Sequence, residues 1–91
     1  MRITFEPVKR EWTRKARDLD FAEAAEVFAG PHTILADDRF DYGEPRYISA
    51  GYLRGRMVVI VWTPRDDARH IISMRHCHEK EARRWRKYLG D

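Results

Sequence analysis

Arg54-Gly55-Arg56-Met57-Val58-Val59-Ile60-Val61-Trp62-Thr63 is the stretch whose reading decides the fold. Arg54-Gly55 has the length and glycine of a two-residue hairpin connection. The apolar run from Met57 to Trp62 fills both faces of an extended strand. Met57, Val59 and Val61 point one way, and Val58, Ile60 and Trp62 the other. Such a strand belongs at the centre of a sheet covered on both sides. The run is far shorter than the roughly 20 residues a membrane-spanning helix needs.

Working upstream, Arg46 to Leu53 alternates as a strand, with Tyr47, Ser49 and Gly51 on one side and Ile48, Ala50 and Tyr52 on the other. His32 to Phe40 reads as the strand before it, ending near the Asp41-Tyr42-Gly43-Glu44 turn. Downstream, Arg65-Asp66-Asp67 makes a turn and Arg69 to Arg75 a fourth strand, whose alternation puts His70, Ile72, Met74 and His76 on one side. Pro7 opens a first helix that runs to about Arg17, with Glu6 placed to cap it and Val8, Trp12 and Ala16 as its inward stripe. Asp20 and Glu23 have capping-box spacing and start a second helix with Phe21, Ala24, Ala25 and Phe28 inward, stopped by Gly30-Pro31. Glu79 to Leu89 forms a last helix that turns Ala82, Trp85 and Leu89 inward. The predicted architecture is α+β: two N-terminal helices, a four-stranded antiparallel meander and a C-terminal helix.

The chain has 91 residues, room for one domain spanning 1–91. At 43% hydrophobic and 36% charged, it is too apolar for disorder and too charged for a membrane protein. The N-terminus lacks an apolar signal-peptide region, and a single cysteine, Cys77, fits a reducing, cytoplasmic compartment. The net charge of +3 is unevenly spread. Basic residues dominate 1–17 and 69–91, whereas acidic ones dominate 18–46. Basic ends suit an anionic ligand, and an acidic middle suits either a basic partner or plain solvation. No helix-turn-helix is expected, because Gly30-Pro31 leads into a strand rather than a recognition helix.

Several stretches together resemble the BrnT family. They are Phe21 to Phe28, Asp38 to Arg46, Gly51, Gly55-Arg56, Val59 to Arg65 and Ile71 to Arg75. The resemblance covers nearly the whole chain. It implies a RelE-like fold and an endoribonuclease toxin of a type II toxin–antitoxin pair that arrests translation. It further implies a BrnA-like ribbon-helix-helix antitoxin as partner, and promoter DNA bound only through the complex. The chain departs from the family pattern in places. Ala16-Arg17-Asp18 stands where the family has Lys-His-Gly, His70 where it has arginine, and Trp85 where it has tyrosine. Arg69 lies one place before His70 and so points to the other face of the strand.

Metal-free RNA cleavage activates a ribose 2′-hydroxyl against the adjacent phosphate. It needs a base, cations around the phosphorane and often an acid at the leaving oxygen. Arginine's fork fits phosphate oxygens, and histidine titrates near neutrality. Arg75 and Arg65, at family-matching positions, are the candidate phosphate groups; the plain alternatives are an ion pair from Arg75 to Glu79 or Glu81, and an exposed turn arginine. His70 and His76 are the candidate proton carriers, or else ordinary sheet histidines. Lys15 and Arg17 at the end of the first helix, with Arg84, Lys87 and Tyr88 on the last, are candidates for RNA binding. No cofactor is expected, and His76-Cys77-His78 is too short a cluster to complete a structural zinc site. A different reading makes the chain a degenerate module that holds an antitoxin, or binds RNA, without cleaving.

Overall fold

The computed structural model describes residues 1–89. A short strand, β1 (Arg2–Thr4), precedes helix α1 (Pro7–Arg17). A 3-10 turn at Phe21–Glu23 leads into α2 (Ala24–Ala29). Strands β2 (Leu35–Ala36), β3 (Tyr47–Leu53), β4 (Arg56–Arg65) and β5 (Ala68–His76) follow, and α3 (Glu79–Leu89) ends the described chain. The sheet order is β1-β5-β4-β3-β2. The meander β2 to β5 is antiparallel as expected. The sheet has a fifth strand, however, because β1 adds in parallel to β5 through Arg2↔Ala68, Ile3↔Arg69 and Thr4↔His70. The chain therefore begins with a strand, not a helix.

β4 is the central strand, buried on both faces. On one face Val58, Ile60 and Trp62 pack with Ile71 and Met74 under Leu19, Phe21, Ala24, Val27 and Phe28. On the other, Met57, Val59 and Ala50 pack against Ala82, with Ile48, Tyr52, Cys77, Trp85 and Leu89 closing the edge. Helices thus cover both faces, which is why the six-residue run carries no polar side. Arg54 and Gly55 both take positive φ (49° and 80°), as a two-residue hairpin with the strand's own twist requires. Gly51 has a different reason to be glycine. A Cβ there would lie 2.7 Å from Val27 Cγ1 and 3.0 Å from the Pro31 carbonyl, so α2 can sit on β3 only over a bare backbone.

Four expectations need correction. The strand drawn over His32 to Phe40 contracts to Leu35–Ala36. Before it, the Thr33 hydroxyl accepts from Ala50 N at 2.8 Å, a side chain standing in for a ladder carbonyl. After it, the chain turns at Asp37, whose buried carboxylate is gripped by Arg39 at 2.7 and 2.8 Å. In α1 the apolar stripe faces out: Val8 is 81% and Trp12 57% exposed, while Thr13 is buried. The helix is tethered through polar groups two turns apart on the Thr13 side. Arg10 holds Asp20 at 2.8 and 2.9 Å, and Arg17 donates to the Met74 carbonyl at 3.0 Å. Glu6 makes no side-chain cap. In the second helix the Asp20–Glu23 capping box forms, but Val27 rather than Ala25 turns inward.

Asp18 ends α1 in the left-handed region (φ 55°, ψ 40°), its N–H donating to Arg14 O. This is the position where the resembled family has glycine. Aspartate is among the few side chains that tolerate that conformation, so the departure keeps the cap.

Candidate functional site

β1 covers the outer edge of β5 only as far as His70. From Ile71 onward that edge is met by α1, and Arg17 reaches across to the Met74 carbonyl. Where the C-terminal end of α1 meets the end of β5, a groove of about 550 Å³ opens. Lys15, Arg17, Arg75 and His76 all line it, with Asp18 and His78 beside them. Four residues singled out in the sequence are thus brought together by one contact between a helix terminus and a strand edge.

Arg75 is the groove cation with the most hydrogen bonds among the described residues. Glu81, in the first turn of α3, takes its two terminal nitrogens at 2.8 and 2.7 Å. Arg75 Nη1 also approaches the His76 carbonyl at 3.4 Å. A guanidinium has five N–H donors, so two remain for a ligand. The fork raises the pKa of Arg75 and holds Glu81 down at about 2, against its own partial burial. Cys77 donates its thiol to Glu81 Oε1 at 3.2 Å. Burial, then the bond to Glu81, pushes that thiol up to about 12, so Cys77 is a protonated donor and not a nucleophile. Trp85 also hydrogen-bonds Glu81. Sequence reasoning named Glu81 only as a possible ion-pair partner; its role is to fix the angle of Arg75.

The groove takes in His76, and the register of β5 sets the two histidines apart. Val61 pairs with Ser73 but Trp62 with Ile71, leaving Ile72 as an unpaired bulge residue. The bulge flips the alternation. His76, across from Val58, lies on the α2 side of the sheet, whereas His70, across from Thr63, lies on the α3 side with Arg75. The two histidines are therefore on opposite faces, not on one. Their β4 partners are five residue steps apart, a spacing of roughly 17 Å along the strand. His76 Nδ1 is buried with no hydrogen-bond partner among the described residues. His70 is buried and bonded through Nδ1 to Thr4 Oγ1 at 2.8 Å, a pin between β1 and β5. Burial, and then Arg65, lower its pKa.

Arg65 lies at the far end of β4, roughly 20 Å from the Arg75 level by strand rise, and pairs with Glu44 at 3.8 Å. Arg69 does point to the opposite face from His70. Its guanidinium lies over both Phe28 and Trp62, 4.4 Å from each ring centroid, where those two rings meet edge to face. On α3, Arg84 and Tyr88 line a smaller groove of about 310 Å³ with Leu35, Trp85 and Glu81. Lys87 is exposed on the same helix. Glu81 therefore separates the basic groove from this second one. Among the described residues, no three or more His, Cys, Asp or Glu side chains gather to hold a metal, His76-Cys77-His78 included. Among the described residues, no helix is long and apolar enough to cross a membrane.

Two carboxylates make acid stability a test of this geometry. Asp20, bound by Arg10, and Glu81, bound by Arg75, both sit at about 2, below ordinary values of 3.8 and 4.5. A carboxylate lowered by folding contributes stability that is complete above its unfolded value and is lost as pH falls through the folded one. The melting temperature should therefore fall between about pH 4.5 and pH 2. Asp20→Asn and Glu81→Gln should each start lower at neutral pH and show a flatter fall. An acid limb of the same slope in both variants would show that neither pair matters to the folded state.

Comparison with curated proteins found no match. A protein-family comparison did find one: residues 5–81 match the family described as ribonuclease toxin, BrnT, of type II toxin–antitoxin systems. The match runs from just after β1 through both N-terminal helices, the rest of the sheet, Arg75 and Glu81, and so takes in every residue of the basic groove. With most of its length inside that family model, the chain belongs to the BrnT family of ribonuclease toxins.

Proposed function

We propose that the groove between α1 and β5 binds RNA and cleaves it without a metal, by attack of a ribose 2′-hydroxyl on the adjacent phosphate. The observation that carries this reading is the Arg75–Glu81 fork, which leaves two fixed guanidinium donors beside His76, Lys15 and Arg17. In the step, His76 takes the proton of the 2′-hydroxyl. The O2′–P bond forms, the P–O5′ bond breaks, and a proton is delivered to O5′. The products are a 2′,3′-cyclic phosphate and a 5′-hydroxyl. Arg75 neutralises the charge that builds on the phosphorane, a role suited to a donor already oriented before reaction. Lys15 and Arg17 hold flanking phosphates, and His78, which lines the same groove, supplies the leaving-group proton. Arg84, Lys87 and Tyr88 on α3 extend the contact to the strand beyond Glu81. Arg65 and His70 have no part at the scissile bond, because both stand far along the sheet from Arg75. The chain works in the cytoplasm as a single toxin domain. A BrnA-like ribbon-helix-helix antitoxin neutralises it, and promoter DNA is bound through that complex.

Two observations favour a second reading, a module that binds without cleaving: Arg75 is already paired with Glu81, and His70 is tied to Thr4. Tightly controlled expression of the chain alone separates the two. Ribonuclease action gives rapid translation arrest with RNA breakdown. Unimpaired growth with confirmed folded protein would leave only the binding module.

A further inference from the structure

The outward stripe of α1 forms one wall of an apolar groove of about 370 Å³. Val8 and Trp12 line it from the helix, and Ile72, the residue extruded by the β5 bulge, lines it from the strand. Val8 and Trp12 are among the large apolar side chains most open to solvent. Lys9 and Arg17 flank the apolar wall. Other cations of α1 have carboxylate partners: Arg10 has Asp20, and Arg14 and Lys15 have Glu11. Lys9 and Arg17 have no ion-pair partner among the described residues. Arg17 also lines the basic groove that holds Arg75, so the two grooves are continuous through one side chain.

We propose that this groove is the docking site for the antitoxin, taken by a segment that seats apolar side chains against Val8, Trp12 and Ile72 and sets carboxylates on Lys9 and Arg17. The inference rests on the toxin–antitoxin reading above and adds where and how the partner is held. Two unpaired cations beside an apolar wall complement an acidic, amphipathic protein segment. RNA satisfies only half of that chemistry. It would meet the cations, but it has no aliphatic surface to bury against Val8 and Ile72. Occupation of Arg17 by an antitoxin carboxylate removes one phosphate ligand from the basic groove, and the bound segment covers its mouth. Docking and inhibition are then one event.

The test uses the full chain and, as probe, a purified BrnA-like ribbon-helix-helix antitoxin. Val8→Glu is the main variant, because Val8 is exposed and does not line the basic groove. Val8→Glu should cleave RNA at the wild-type rate but bind the antitoxin roughly tenfold or more weakly, the loss typical of an anchor residue at an interface. Trp12→Ala should weaken binding by a similar factor. Equal antitoxin affinity in wild type and both variants would overturn the docking site while leaving the ribonuclease reading intact. Failure of the wild type to cleave RNA would remove the ribonuclease reading alone, since the affinities measured by calorimetry still decide the docking site. A concentration-dependent dimer of the free chain that Val8→Glu abolishes would assign the groove to a second copy and overturn the proposal.

Discussion

Arg75→Ala is expected to lower RNA cleavage by the purified chain roughly 100- to 1,000-fold, the range seen when one preorganised donor to a developing anion is removed. The size follows from how Arg75 is held. Its two contacts with Glu81 fix the plane of the guanidinium, and Cys77 and Trp85 fix Glu81 in turn. A phosphorane formed against it gains charge without having to reorganise the donor. Arg75→Lys should recover only part of the activity, because an ammonium keeps the charge but cannot hold the fork. The fold should survive both changes. Arg75 is 40% exposed at the side chain, and a partly exposed pair of this kind contributes about 1 kcal/mol or less. Unchanged cleavage in Arg75→Ala, with the circular dichroism spectrum of the wild type, would remove Arg75 from the reaction.

The largest effect on stability is expected at Trp62. Its indole Nε1 donates to Ser49 Oγ at 2.9 Å, and its rings contact Tyr47 at 5.0 Å and Phe28 at 5.9 Å between centroids. Its ring also carries the Arg69 guanidinium, 4.4 Å from the centroid. Trp62→Ala removes all four contacts from the centre of the sheet. Large aromatic truncations of this kind cost about 3–5 kcal/mol. A small domain has only about 5–15 kcal/mol in total. The variant should therefore unfold at much lower urea, or fail to accumulate folded. Trp62→Phe keeps most of the volume and leaves the Ser49 hydroxyl unpaired, a loss of about 1–3 kcal/mol. A urea midpoint unchanged in Trp62→Ala would contradict the placement of this residue in the core.

The centre of the fold was legible because its signals are local. The apolar run of β4, the Arg54-Gly55 turn and the Asp20–Glu23 capping box each announce themselves within a few residues. β1 gives no such signal. Three residues carry no period, and their partners lie 66 positions away, as the Thr4–His70 bond illustrates. The bulge at Ile72 is equally silent, with no glycine or proline to mark it, yet it reverses the side on which His70 lies. The α1 stripe misled because three spaced apolar residues are weak against the salt bridge of Arg10 and the carbonyl contact of Arg17, which orient the helix the other way. The candidate site shows the same division. Lys15, Arg17, Arg75 and His76 could be picked out by residue type and family resemblance. Their meeting depends on α1 docking against the open edge of β5, and the exclusion of Arg65 and His70 depends on strand register. Neither is written in any one stretch of the chain.

The most direct test of the proposed chemistry is to incubate the purified chain with RNA in excess chelator and determine the end groups of the fragments. Metal-independent attack by the 2′-hydroxyl predicts cleavage that persists in chelator and leaves 2′,3′-cyclic phosphate and 5′-hydroxyl ends. Cleavage that stops in chelator and returns with a defined metal, or fragments bearing 5′-phosphate, would contradict it.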